Sequence, residues 1–112
     1  MAETIRTREP LACNLNAIPA DRLERYRALS RRIWPAIQET VELPDGYALR
    51  LPDESNLCLE VAEFMSLERL CCPFFRLALE LEPHGGPMWL RVTGGEAVKT
   101  FLREALQAAA RS

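Results

Sequence analysis

The chain has 112 residues and a mass of 12.7 kDa, which is enough for one hydrophobic core and predicts a single domain over residues 1–112. Its 48% hydrophobic and 27% charged residues are typical of a globular protein and exclude a disordered or fibrous chain. A net charge of −2 lacks the basic excess with which proteins bind nucleic-acid backbones, so we expect no nucleic-acid partner.

The N-terminus and the hydropathy pattern bear on localisation. The first ten residues carry charges where a secretion signal needs an apolar core. No apolar run approaches the roughly 18 residues that span a bilayer. We therefore expect a cytoplasmic protein with no membrane partner, whose residues 1–9 are frayed. In a reducing cytoplasm, the four cysteines are more typical of free thiols, metal ligands or redox groups than of disulfides.

The first half of the chain predicts two strands separated by a helix. Apolar residues at 11, 13 and 15 alternate and predict a strand over residues 11–16. A helix is predicted from an N-cap at Asp21 to about Val41, with a kink or break near residues 31–34 because Pro35 removes an amide donor. Pro44-Asp45-Gly46 predicts a turn, and alternation over residues 47–51 predicts the second strand.

The second half predicts a helix, a hairpin and a last helix. The helix runs from about Leu57 to Cys72 and is stopped by Pro73. Alternation over residues 75–81 and 88–92 predicts an antiparallel hairpin, and a helix follows Gly94-Gly95. The order is β-α-β-α-β-β-α. Because the strands have one apolar face, helices should cover one side of the sheet. The fold class is therefore α+β, a two-layer sandwich with a mostly antiparallel four-stranded sheet.

The other face of this sheet is expected to meet solvent or a partner. The residues assigned to it are Asn14, Arg50, Arg76, Glu80, Trp89 and Arg91. Tryptophan is enriched at protein interfaces, so an exposed Trp89 would indicate a homodimer or another docked protein. Burial of the indole by the N-terminal residues or by its own neighbours is the alternative.

The second helix carries the unusual chemistry of the chain. Glu68, Cys71 and Cys72 fall together on its apolar stripe, because residues three and four apart share a helix face. A buried carboxylate costs several kcal/mol unless it is paired or protonated. The candidate partners for its charge are Arg69, Arg76 and Arg91. Cys13 faces inward on the predicted first strand and could approach this group.

Three interpretations of these residues remain open. The cysteines can be core filler, since free cysteine behaves as a small hydrophobe. They can bind a soft metal or metalloid ion such as zinc, with Cys13, Glu68 or His84 as further ligands. They can also form a thiol redox or nucleophilic pair with Glu68 as the base.

The position of Cys71 and Cys72 in the last helical turn separates the two functional interpretations. The negative end of the helix dipole disfavours a thiolate there, which counts against a redox pair. A metal ion deprotonates its own thiol ligands, so the helix dipole disfavours metal binding less than a redox pair. Adjacent cysteines are, however, not the usual C-x-x-C zinc spacing. Soft-metal or metalloid binding is therefore the preferred functional hypothesis. A thiol redox enzyme and a non-enzymatic module that dimerises through the open sheet face are the alternatives.

The run Leu67-Glu68-Arg69-Leu70-Cys71-Cys72-Pro73-Phe74-Phe75, with LPDGY before it and GPMWLRVTG after it, resembles a group of small bacterial proteins. These proteins share an E-R-x-C-C-P-F-F core, and the similarity covers most of the chain from about Leu11. The group has no established activity, cofactor or substrate. The resemblance therefore implies a stand-alone bacterial cytoplasmic protein and transfers no catalytic role.

Overall fold

The computed structural model describes residues 11–111, so the expected fraying of residues 1–9 lies outside the described part. The elements are α1 (Ala20–Ile33), β1 (Glu39–Leu43), β2 (Gly46–Leu51), α2 (Ser55–Cys71), β3 (Arg76–Leu81), β4 (Met88–Thr93) and α3 (Glu96–Arg111), with short 3-10 turns at Leu15–Ala17 and Trp34–Ala36. Within residues 11–111, every helix falls short of the length and apolar character needed to cross a membrane.

The four strands form one antiparallel sheet in the order β1-β2-β4-β3. Leu49 of β2 pairs with Leu90 of β4, which pairs with Leu79 of β3, so one face carries an apolar row. This row belongs to a core that also contains Leu29 of α1 and Leu102 of α3. The predicted α+β class, with a four-stranded antiparallel sheet and helices packed on it, is confirmed.

The predicted strand over residues 11–16 does not form. Within this segment the Asn14 side chain accepts a hydrogen bond of 3.1 Å from the backbone N–H of Asn16 and caps the 3-10 turn that follows. Side chains that bond to nearby backbone in this way compete with strand pairing. Leu15, which was expected to face inward, is 41% exposed.

The fourth strand lies instead within the predicted first helix. Helix α1 ends at Ile33, and Pro35 occupies the 3-10 turn that follows, so the break expected there is confirmed. The extension of the helix to Val41 is wrong, because Glu39–Leu43 pairs with β2 across the Pro44-Asp45 turn. Ile37 and Val41 fit a helical spacing, but Pro35 removes the turn that would connect them to α1.

Gly46 opens β2 at a point where no side chain fits. Its register partner in β4 is Thr93, and a Cβ built on Gly46 would overlap the Val92 carbonyl oxygen and lie 2.7 Å from the Thr93 Cα. Glycine therefore permits the close approach of the β1–β2 hairpin to β4.

Helices α1 and α2 are joined by ion pairs and by an aromatic contact. Arg22 and Arg25 of α1 both bond to Glu63 of α2, at 2.9 and 2.7 Å. The ring of Tyr26 stacks on Phe64 with centroids 5.5 Å apart. These contacts fix the rotation of α1 against α2 and bring the Tyr26 hydroxyl toward the end of α2.

The opposite face of the sheet follows the prediction in part. Glu80 is exposed and accepts a charged hydrogen bond of 2.9 Å from Arg91, its diagonal neighbour on β4. Arg50 and Trp89 are half-buried, while Asn14 lies outside the sheet. Trp89 is therefore neither free in solvent nor part of the main core.

Candidate functional site

The site lies where α2 ends. Cys71 is the last helical residue, and Cys72 leaves the helical conformation with φ −127° and ψ 69°. The following Pro73 explains this, since the residue before a proline is disfavoured in the α region. The Cys72 N–H still donates to the Glu68 carbonyl at 2.8 Å, so the two adjacent cysteines remain attached to the last turn.

The N-terminal segment reaches the same helix end. The backbone N–H of Asn14 donates to the Cys71 carbonyl at 2.8 Å, and carbonyls at the end of a helix lack partners within the helix. Cys13, directly before it, forms a disulfide with Cys72, with the Cα atoms 4.7 Å apart. This separation lies within the range that disulfides usually span.

The Cys13–Cys72 disulfide contradicts the expectation that the cysteines of a protein in a reducing compartment do not form disulfides. That expectation weighed compartment alone, whereas the pairing follows from the path of residues 11–14 over the end of α2. Cys58 and Cys71 are free thiols. Cys58 lies outside the cluster, more than two turns before Cys71 in α2.

Cys71 is the buried thiol at the centre of the site. Its Sγ lies 3.5 Å from the Cys72 Sγ and 3.8 Å from both the Glu68 Oε1 and the Tyr26 hydroxyl. Burial raises the pKa of the Cys71 thiol, and the charge of Glu68 raises it further. The Cys71 side chain is therefore a protonated thiol at neutral pH, as the helix-dipole argument predicted.

Glu68 is the buried carboxyl of the site, with 9% of its surface exposed. The Tyr26 hydroxyl donates to its Oε1 at 2.6 Å. Burial raises the pKa of Glu68, while the hydrogen bonds from Tyr26 and Cys71 oppose this shift. No arginine forms an ion pair with Glu68 among residues 11–111, and Arg91 pairs with Glu80 instead. The expected arginine partner is therefore wrong, and a neutral phenol takes its place.

Tyr26 is the site residue that the sequence analysis missed. Tyr26 lies on the side of α1 that faces α2, where its ring packs against Phe64. A buried tyrosine hydroxyl usually needs a hydrogen-bond partner, which was the available signal. Burial and the bond to Glu68 raise the pKa of Tyr26, so it is the donor in this pair.

The structure brings together part of the predicted ligand set. The sulfur atoms of Cys13, Cys71 and Cys72 all lie within 4.8 Å of one another, and Cys13 is the most accessible of the three. Glu68 adjoins this group through Cys71. His84 has a positive φ of 60° in the β3–β4 turn, at the end of β3 remote from Cys72, so it remains a turn residue.

Comparisons of the chain with protein-family models, with curated proteins and with solved structures gave no match. The resemblance to bacterial proteins with an E-R-x-C-C-P-F-F core therefore stays a prediction. The function has to be argued from the cluster itself, which can exchange two electrons between thiol and disulfide or, when reduced, present three sulfurs to a soft ion.

Proposed function

We propose that Cys13, Cys71 and Cys72 form a thiol–disulfide redox centre that reacts with an external thiol. The observation that carries the proposal is a free thiol, Cys71 Sγ, 3.5 Å from a sulfur of the Cys13–Cys72 disulfide. A disulfide that serves only as a cross-link needs no third sulfur beside it. The disulfide thus moves the redox alternative ahead of metal binding.

Cys13–Cys72 is the stable oxidised pair of the three cysteines. The alternative pair, Cys71–Cys72, joins neighbours whose Cα atoms are about 3.8 Å apart across a trans peptide, which is shorter than disulfides usually allow. Internal attack by Cys71 on Cys72 is therefore unfavourable.

Reduction begins at Cys13, which is the more accessible sulfur of the disulfide. The thiolate of an external thiol attacks the Cys13 sulfur, the Cys13–Cys72 bond breaks, and Cys72 leaves as a thiolate that takes up a proton. A second external thiol attacks the mixed disulfide on Cys13, releases the Cys13 thiol and forms the oxidised external disulfide. The net reaction oxidises two external thiols and reduces one protein disulfide.

Cys71 stabilises the reduced form. Once Cys72 is a thiolate, the protonated Cys71 beside it can donate its S–H to that sulfur, and hydrogen bonds to the reduced form favour reduction. The thiol has one proton, so this donation replaces the bond from Cys71 to the Glu68 Oε1, which keeps its hydrogen bond from Tyr26. A hydrogen bond of about 1 kcal/mol corresponds to roughly a fivefold change in the equilibrium with the external thiol.

The proposal is tested by redox titration against glutathione, with the reduced cysteines identified by alkylation and mass spectrometry. We expect reversible reduction of Cys13–Cys72, and a roughly fivefold shift toward the disulfide in Cys71→Ala. Cys58→Ala, which removes the free thiol outside the cluster, should titrate like wild type. A disulfide that glutathione and dithiothreitol leave intact in the native protein, or an unchanged midpoint in Cys71→Ala, would contradict the proposal.

A second candidate, soft-metal or metalloid binding by the reduced protein, is supported by the same three sulfurs. Their mutual separations of at most 4.8 Å suit an ion with metal–sulfur bonds of roughly 2.3 Å. Such an ion would be held by Cys13, Cys71 and Cys72, with Glu68 as a nearby oxygen. Reduction would have to come first, because disulfide sulfurs are not thiolate ligands.

Metal binding is tested on reduced protein under nitrogen with Cd²⁺ or Zn²⁺ as the probe. We expect one ion per chain, with a cadmium–thiolate absorption band that is lost in Cys71→Ser and retained in Cys58→Ser. The oxidised protein should show no band. Equal binding by Cys71→Ser and wild type would refute this candidate.

The interaction-module hypothesis rests on the sheet face that carries Trp89. Helices pack on the other face, and Trp89 is half-buried. The dimer stays a prediction, as does the cytoplasmic location. Sedimentation of wild type and Trp89→Ala would test the dimer, since a wild-type monomer at high concentration contradicts it.

A further inference from the structure

A partly open cavity lies between the inner face of the sheet and the helices. Its volume is about 150 Å³. The lining comes from three sides: Leu49 and Leu90 from the sheet, Phe64 from α2, and Leu102 and Ala105 from α3. Aliphatic and aromatic side chains form nearly all of its surface. An apolar cavity of this size can accept a molecule such as benzene.

One polar group of the site belongs to this wall. Glu68 lines the cavity, and its hydrogen bonds from Tyr26 and Cys71 both go to Oε1. Among residues 11–111 no hydrogen bond reaches the Glu68 Oε2. This oxygen keeps some contact with solvent and can therefore exchange a water for a ligand group. The cavity thus combines largely apolar walls with an oriented hydrogen-bonding group, which is typical of small-molecule sites.

We propose that this cavity binds a compact, largely apolar molecule that carries one hydroxyl or carbonyl oxygen, with the Glu68 carboxyl bonding to that oxygen. The volume limits the ligand to about the size of benzene or benzyl alcohol. A charged ligand is excluded, because the nearly apolar surface of the cavity could not replace its hydration. Binding requires no change in the disulfide, so it can be measured on the oxidised protein alone.

The cavity is tested by titrating oxidised protein with toluene and with benzyl alcohol, following amide chemical shifts by NMR. We expect shifts at residues around the cavity for both probes, with benzyl alcohol binding more tightly. Ala105→Leu places a larger side chain into the cavity and should weaken both probes by at least tenfold. Ala97→Leu adds the same side chain at an exposed position of the same helix and should bind like wild type.

The role of Glu68 is tested with the same two probes. Replacing it alone would leave the Tyr26 hydroxyl without its partner, so the variant is Glu68→Leu combined with Tyr26→Phe. We expect the preference for benzyl alcohol over toluene to fall by about fivefold, which corresponds to one hydrogen bond. Should this variant not fold, Glu68→Gln is measured instead, and there a preference altered by at least twofold supports the proposal. Absence of binding by both probes, undiminished binding in Ala105→Leu, or an unchanged preference in the folded Glu68 variant would overturn it.

Discussion

Loss of the Cys13–Cys72 disulfide should lower the stability of the fold by an amount that the chain connectivity sets. The two cysteines are 59 residues apart. The loop-entropy relation for a cross-link of this length gives about 4 kcal/mol at 25 °C. A domain of this size has a free energy of unfolding of only about 5–15 kcal/mol, so the effect is large.

The assay is urea denaturation of wild type and Cys13→Ala, each with and without dithiothreitol. Without reductant we expect the free energy of unfolding of Cys13→Ala to lie about 4 kcal/mol below that of wild type. With reductant the two should converge, because Cys13 is accessible and its side chain contributes little burial. Cys58→Ala serves as the control that removes a thiol and keeps the disulfide.

Two results would refute this reasoning. A difference below about 1 kcal/mol without reductant would show that the disulfide does not constrain the unfolded chain as its loop length predicts. A difference that persists under reductant would show that the Cys13 side chain stabilises the fold through packing rather than through its bond to Cys72.

Three further predictions follow from single contacts. The pKa of Glu68 is raised above its ordinary value near 4.5, so its contribution to stability is present below that pH and is lost as the pH rises through the folded-state pKa. In urea denaturation, the free energy of unfolding of Glu68→Gln should therefore rise relative to that of wild type from pH 4 to pH 8. A constant difference would contradict the shift. Tyr26→Phe removes the 2.6 Å donor and should cost about 1–3 kcal/mol at pH 8, again by urea denaturation; a neutral substitution would show the bond to be dispensable. Gly46→Ala should lower the free energy of unfolding by roughly 1–3 kcal/mol or more, because its Cβ would overlap Val92. This loss should exceed that of Gly95→Ala, where a Cβ meets open space but φ is +103°. The reverse ranking would exclude a steric cause.

The sequence determines most of the sheet because burial on one face leaves a period-two signal. The alternation in β2, β3 and β4 predicted all three strands and the hairpin between β3 and β4. The segment containing β1 was harder, since Ile37 and Val41 also fit a helical spacing. Pairing with β2 and the break at Pro35 decide that segment, and the first of these is a tertiary contact.

The part of the site that lies on a single helix could be predicted from the sequence. Spacing on α2 places Glu68 and Cys71 on the buried face, and both are buried. The partners come from elsewhere in the chain: Tyr26 from α1 and Cys13 from the N-terminal segment. Their approach depends on how α1 rotates against α2 and on the bond from Asn14 to the Cys71 carbonyl, neither of which leaves a periodic signal.

The burial of Glu68 connects the two proposed activities through one side chain. Its Oε1 accepts bonds from Tyr26 and Cys71, while the carboxyl also lines the cavity. A ligand that bonds to this carboxyl changes how strongly it holds the Cys71 thiol, and Cys71 faces the Cys72 sulfur. By linkage, an effect of ligand on the redox equilibrium requires an equal effect of redox state on ligand affinity. Benzyl alcohol affinities of oxidised and reduced protein should therefore differ by the same factor as the glutathione equilibria with and without saturating ligand. A factor of one in both measurements would show that the two sites are not coupled.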